Sequence, residues 1–257
     1  MTGKWRMVLL VSLIGNLTII YVGYKAWQYR TNINYWLDKY LYVVDEFSGR
    51  STYESADAAL KSDTIVPGRI VFFGSQVMAE WPLAEYFPDF EAINRGVTGQ
   101  RVAGFLLRFR PDVIELGPEY VVIEVSSYNF RPNSRPREIL DYVISLAEMA
   151  RCYGIEPVLT TCIPPRDDFE VDEHEDYIVR DTVATYSQWL AEYAHKHRIT
   201  VADWRSAVAD TAGYLRHDLA RTKVDLNPDG YRAIAATVLE AFRTANHRPA
   251  DSGDRHE

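Results

Sequence analysis

Two cysteines in 257 residues are too few to build a disulfide framework. Cys152 falls at the end of an expected helix and Cys162 at the end of the strand after it. At the rise of an extended chain they lie roughly 20 Å apart, too far for a bridge. Basic residues are also short: 28 Lys and Arg stand against 36 Asp and Glu, a formal net charge of −8. No basic stripe offsets that balance, which argues against a sequence-independent binder of nucleic acid. No internal repeat is found, and no segment calls for a cofactor. The one cluster with metal-ligand character, Asp172, His174 and Asp176 in the acidic stretch 166–176, is read as a solvated loop, so no metal is expected.

What is present is an ordinary apolar content of 47%, with 17 Tyr and 6 Trp. That suffices for one α/β domain of about 200 residues with a sizeable core, plus extensions. Residues 7–24 form a nearly unbroken apolar run, about 27 Å as a helix and enough to cross a bilayer core. Lys4 and Arg6 precede it, and no small-residue cleavage site follows, so 1–24 reads as an uncleaved signal-anchor. The basic tail favours N-in with the soluble domain outside, although Lys25, Arg30 and Lys39 flank the other side. The expected location is therefore a single-pass membrane protein with an extracytoplasmic domain. Residues 25–62 form a connector in which Trp36, Leu37, Tyr40, Leu41, Val44 and Phe47 fall near helical spacing. They predict an amphipathic juxtamembrane helix that packs on the domain or the lipid interface, with a partner-binding helix as the sharper alternative.

From 63 to 246 apolar strands and amphipathic helices alternate, the pattern of a parallel sheet covered on both faces. Strands are expected at Arg69–Gly74, Glu91–Asn94, Tyr120–Val125, Pro157–Ile163 and Thr200–Asp203. Helices are expected at Pro136–Tyr153, with Gly154 just past the end, at Tyr177–His197, and from Pro228 behind an Asn227 cap. Residues 247–257 read as a disordered polar tail.

The run Arg69-Ile70-Val71-Phe72-Phe73-Gly74-Ser75-Gln76 ends a buried strand in a tight turn, where α/β sheets place their ligands. Together with Trp81 and Pro82-Leu83-Ala84-Glu85-Tyr86-Phe87-Pro88, it resembles the first block of the SGNH/GDSL hydrolases, in their acetylhydrolase-like branch. Asn94-Arg95-Gly96-Val97-Thr98-Gly99-Gln100 resembles the second block, and Leu226-Asn227-Pro228-Asp229-Gly230-Tyr231 fixes the register of the last. The resemblance implies a three-layer α/β/α sandwich with a five-stranded parallel sheet, of the SGNH-hydrolase and flavodoxin-like type.

It also implies the chemistry's absence. In an ungapped register Ser75 takes the place of the family's Asp, Gln76 of its nucleophilic Ser, Asp225 of its His and Thr222 of its orienting Asp. Gly96 remains as an oxyanion-hole residue. Tyr128 stands where the third block has its Asn, and a one-residue slip makes Asn129 the donor. An amide is no nucleophile, and a carboxylate with a reference pKa of about 3.9 is a poor base at neutral pH. Removing one triad member costs on the order of 10⁴–10⁶-fold in rate.

The leading expectation is thus a membrane-anchored, catalytically degenerate member that binds a ligand at the old mouth through Gln76, Ser126, Tyr128 and Asp225. A carbohydrate or acyl ligand suits those groups. The enzyme alternative is an esterase or O-acyl transferase with a relocated hydroxyl such as Ser75, with Ser126, Ser127, Thr98 and His217 as further nearby groups. A third possibility is a structural partner of other membrane proteins.

Overall fold

The computed structural model describes residues 3–41, 49–130, 134–169 and 179–246. The chain divides into two compact units, residues 1–47 and 48–257. Within the first, one helix, α1 (Gly3–Leu41), holds 39 residues. It does not stop at Tyr24, because no proline or adjacent glycine pair breaks the ladder at the end of the apolar run. Its apolar window has a mean hydropathy of 1.9, long and apolar enough to cross a membrane. Val44, Phe47 and the tail 247–257 lie outside the described residues.

The second unit opens with α2 (Glu54–Leu60) and β1 (Val66–Gly74), followed by the single turns α3 (Gln76–Ala79) and α4 (Leu83–Tyr86). Next come β2 (Glu91–Gly96), α5 (Val102–Asp112), β3 (Pro118–Ile123), α6 (Pro136–Cys152) and β4 (Glu156–Thr160). The chain then forms α7 (Val179–Lys196), β5 (Thr200–Ala202), α8 (Trp204–Val208) and α9 (Pro228–Asn246). The strands form one parallel sheet in the order β2-β1-β3-β4-β5.

Alternation along the strands builds two cores. Val71, Phe73, Val121, Ile123 and Leu159 face α5, α6 and α7. Ile70, Phe72, Tyr120, Val122 and Val158 face α3, α4, α8 and α9, packed with Trp81, Phe87 and Trp204. Both faces are covered, which is why the strands read as continuous apolar runs rather than as alternating ones. The helix ends follow local chemistry: Asn227 Oδ1 accepts the N–H groups of Asp229 and Gly230 at 3.0 Å each, and Gly154 takes φ 74° after α6.

Three expected strands run on past their observed ends, β5 by the single residue Asp203. β3 stops at Ile123 and β4 at Thr160, so Glu124 and Cys162 belong to the loops above the sheet. The order places β2 and β3 on opposite sides of β1, so the chain reverses direction across β1 and β3. The crevice beyond their carboxyl ends is where such a sheet holds ligands. Ser75 and Gln76 leave β1 at that point, and Glu124 leaves β3.

Candidate functional site

Gly74 ends β1 with a buried turn that admits no side chain. A Cβ there would meet Glu124 Oε2 at 2.4 Å and Met78 Cγ at 2.8 Å. Gly96, at the end of β2, is equally constrained, because its Cβ would sit 2.1 Å from the backbone nitrogen of Ala79. The two glycines let the turn after β1 press against both neighbouring strand ends.

Ser75 points down into this packing. It is 2% exposed, and its N–H and hydroxyl both donate to Glu124 Oε2, at 2.7 and 2.9 Å. Glu124 is itself buried, and the loss of solvent pushes its carboxyl up to about 7 although the Ser75 hydrogen bonds pull the other way. Its own N–H donates to Phe73 O at 3.0 Å. The pair therefore clamps the end of β3 to the turn after β1.

Gln76 points the other way, toward the last loop. Its Nε2 donates to Asp225 Oδ1 at 2.8 Å and, more weakly, to Glu80 Oε1 at 3.3 Å. Asp225 Oδ2 accepts the Thr222 hydroxyl at 2.6 Å, and the Thr222 oxygen in turn accepts the N–H of Asp225 at 3.1 Å. Arg221 pairs with Glu80 and lies 3.5 Å from Asp225 Oδ2. Gln76, Asp225 and Thr222 are thus joined in one chain, with Asp225 buried at its centre. Side-chain donors sit at both ends, and the Asp225 carboxylate accepts from each. The hydroxyl on this line is that of Thr222, which donates to the Asp225 carboxylate, and the group reaching Asp225 from the β1 side is an amide.

The expected oxyanion donors are engaged elsewhere. The N–H of Gly96 donates to Asn94 Oδ1 at 2.8 Å. Asn129 is buried, accepts the N–H of Val102 at 3.0 Å and donates its amide to Ser126 O at 3.2 Å. It ties the loop after β3 to the start of α5. Ser126 Oγ caps the turn by accepting the N–H of Tyr128 at 3.0 Å. The Tyr128 ring is exposed, with the Arg101 guanidinium 5.9 Å from its centroid. Ser127 is buried. His217 is exposed and bonded to Asp167 Oδ1 at 2.7 Å. Asp172, His174 and Asp176 fall outside the described residues.

Beneath the mouth lies a buried ionic cluster. Arg108, with no exposed surface, donates to Gly74 O and Arg95 O at 2.9 Å each, to Gln100 Oε1 at 2.6 Å and to Asp112 Oδ2 at 2.6 Å. Its guanidinium stacks 4.1 Å from the Phe73 ring centroid. Burial lowers the Arg108 pKa and pushes Asp112 up to about 6, against the pull of Arg108. Arg95 pairs with the buried Asp57 of α2, and Tyr53 donates to Gly96 O at 2.6 Å. These bonds fix the carboxyl ends of β1 and β2 to the start of the second unit.

Glu124, Arg108 and Asp57 carry this arrangement and are absent from the sequence expectations. One signal was available for Glu124: it is the lone charge in the apolar run Val121–Val125, at the carboxyl end of a buried strand. Arg108 sits on the same helical face as Phe105 and Phe109, which disguises it as a solvated residue.

A family model described as GDSL-like Lipase/Acylhydrolase matches residues 73–233. A GDSL-like lipase from Bacteroides thetaiotaomicron superposes with a TM-score of 0.69 at 25% identity, over 78% of this chain and 100% of its own. An acetylxylan esterase from Geobacillus stearothermophilus superposes with a TM-score of 0.55 over 70% of this chain and 96% of its own, a likeness of fold at 17% identity. In sequence, the uncharacterized lipoprotein YqeF of Bacillus subtilis is 28% identical over 82 residues, 30% of this chain. The match spans about a third, 34%, of that protein's length.

Proposed function

This chain belongs to the GDSL-like lipase/acylhydrolase family, and from that premise we propose that it is a non-hydrolytic, membrane-anchored member that binds a ligand at the former active-site mouth. The observation that carries this reading is the 2.8 Å bond from Gln76 Nε2 to Asp225 Oδ1. An amide donor and a carboxylate acceptor stand where hydrolysis needs a hydroxyl and a matched base. The line of contact between the two elements persists, and its direction of proton donation leads nowhere chemically.

The mouth still presents recognition groups. Gln76 donates through its nitrogen, and its carbonyl oxygen faces no acceptor demand from the described residues. Tyr128 offers an exposed ring of the kind on which sugar faces stack. Neutral, oxygen-rich ligands such as acylated sugars suit an amide, a ring and an ion-paired rim. The apolar α1 and the match to a protein named as a lipoprotein support a place at the cell envelope.

A rival reading rests on the 2.9 Å contact between the Ser75 hydroxyl and Glu124, a hydroxyl beside a carboxyl near neutrality. Burial of both groups weighs against it, since an acyl carbon must reach Oγ in line. The test is hydrolysis of p-nitrophenyl acetate together with fluorophosphonate labelling of the full chain in detergent. No turnover above buffer and no labelling is the expected result. Enzyme-like turnover that Ser75→Ala abolishes would replace this proposal with the rival. Binding is read by titrating acetylated oligosaccharides, and weakening by Gln76→Ala places the ligand at the mouth.

A further inference from the structure

Residues 49–60 form a strap that holds the loop after β2, the loop that begins at Gly96. The Tyr53 hydroxyl donates to Gly96 O at 2.6 Å, and Gly49 packs so closely that a Cβ would meet Val97 Cγ1 at 3.1 Å. Deeper in, Asp57 of α2 reaches the ionic cluster beneath that loop. Its Oδ1 accepts Arg95 Nε at 2.7 Å, while Asp112 Oδ2 accepts Arg108 Nη1 at 2.6 Å. Each carboxyl has a second oxygen, Asp57 Oδ2 and Asp112 Oδ1, that is out of water and takes no hydrogen bond among the described residues. The two side chains lie within hydrogen-bonding reach of each other, in residues only 2% and 0% exposed. Two ionised carboxylates have no hydrogen to share, and their bare oxygens repel when buried side by side.

We propose that Asp57 and Asp112 share one proton, in a carboxylic acid–carboxylate hydrogen bond that fastens the strap to α5 in acid and releases it toward neutrality. One proton gives both orphan oxygens a partner, the first as donor and the second as acceptor. The other charged and titratable groups facing the pair are already engaged. Arg95 of β2 holds Asp57 Oδ1 and Asn94 O, and Arg108 of α5 holds Gly74 O, Arg95 O, Gln100 and Asp112 Oδ2. The Tyr53 hydroxyl is committed to Gly96 O, and the exposed Lys61 to Glu115. The proton leaves one positive charge in excess among two guanidinium and two carboxyl groups. Aromatic faces offset it, with Phe73 4.1 Å from the Arg108 guanidinium and Tyr53 4.6 Å from that of Arg95. Burial raises the Asp112 carboxyl from 3.8 to about 6, so the folded pair keeps a proton that a solvated pair has lost. The grip is therefore full in acid and disappears as pH rises through about 6, weakening roughly tenfold between pH 5 and pH 7. This device is independent of whether the mouth turns over a substrate.

The test is carbon NMR of the full chain in detergent, isotope-labelled at the aspartate carboxyl carbon alone so that Glu124 is silent. Ordinary aspartates, with a reference pKa of about 3.9, finish titrating by about pH 5. The expected result is aspartate carboxyl signal that moves in one step near pH 6 and is missing from both Asp112→Asn and Asp57→Asn. Hydrogen exchange of the Asp57 N–H, which donates to Tyr53 O at 2.8 Å, reads the strap itself. Its protection, corrected for the intrinsic pH dependence of exchange, should fall roughly tenfold from pH 5 to pH 7 in the parent. It should stay level in Asp112→Asn, whose amide supplies the hydrogen at every pH. No aspartate titrating above pH 5 in the parent, or a step near pH 6 that survives either substitution, overturns the shared proton. A step near pH 6 with level protection in the parent overturns its hold on the strap. Should one variant fail to fold, the parent and the other variant carry the test.

Discussion

Replacing Glu124 by Gln isolates the energetic effect of an acid buried beneath the mouth. In the folded chain the Glu124 carboxyl is pushed up from 4.5 to about 7 by burial. At about 1.36 kcal/mol per pKa unit that rise amounts to about 3 kcal/mol. The sign follows from proton uptake: between the two values the native state holds a proton that the unfolded state has lost. Stability from this group is therefore full below pH 4.5, falls as pH rises, and is gone above about pH 7. Glutamine keeps an acceptor for the Ser75 N–H and never ionises, so its stability is flat in this respect. Asp112, pushed up to about 6 by its own burial, slopes the same way in both proteins. The discriminating quantity is thus the difference between the two curves. Relative to the parent, the variant should gain about 3 kcal/mol from pH 4 to pH 8, or roughly 6–12 °C in midpoint for a domain of this size. Urea or thermal unfolding of the unit beginning at Ser48 measures it. A constant offset between the curves across that range would mean that Glu124 ionises normally, and that the buried clamp described here does not exist in solution.

Three further changes probe the mouth and its supports. Asp225→Ala strips the acceptor from Gln76 and Thr222 together and should cost about 1–3 kcal/mol, while Thr222→Ala should cost less; equal losses in urea unfolding would mean that Gln76 contributes nothing. The triple change Gln76→Ser, Asp225→His and Thr222→Asp places a hydroxyl, an imidazole and a carboxylate on positions already joined by hydrogen bonds. It should create measurable p-nitrophenyl acetate hydrolysis, well below a native esterase because Gly96 and Asn129 remain engaged; no activity in a folded triple variant would refute the register. Gly96→Ala drives a methyl into the backbone of α3 and should cost more than about 3 kcal/mol or prevent folding, against wild-type-like unfolding if the close approach is absent.

The strands and helices could be read from the chain because their signals are local. The buried run Ile70–Phe73, the Asn227-Pro228 helix start and Gly154 each encode their own geometry, and the parallel sheet follows from their alternation. The strand order could not be read that way, since it depends on which edges pair. Gln76, Asp225 and Thr222 meet in the structure, because the last loop is held by Asn227 and Gly230. What escaped was the direction of neighbouring side chains. Ser75 is one residue from Gln76, yet φ −106° and ψ −140° at its position send the two side chains to opposite sides of the turn. Only the fold shows that Glu124, some fifty residues away, waits beneath it.

Under the function proposed above, that division explains how such a scaffold would survive the replacement of its chemistry. In a hydrolase the strand-end turn must hold a nucleophile exposed and slightly strained, while a charged partner steadies the imidazole. Here the same turn is fastened from below by Ser75 and Glu124, from the side by Arg108 on the Gly74 carbonyl, and from above by Gln76 on Asp225. Each bond joins the turn after β1 to a different part of the fold. Gln76 and Asp225 thereby serve as a tertiary contact between the turn after β1 and the last loop. A ligand met by such a surface finds preorganised donors and a ring, and binding without turnover is the function we propose for it.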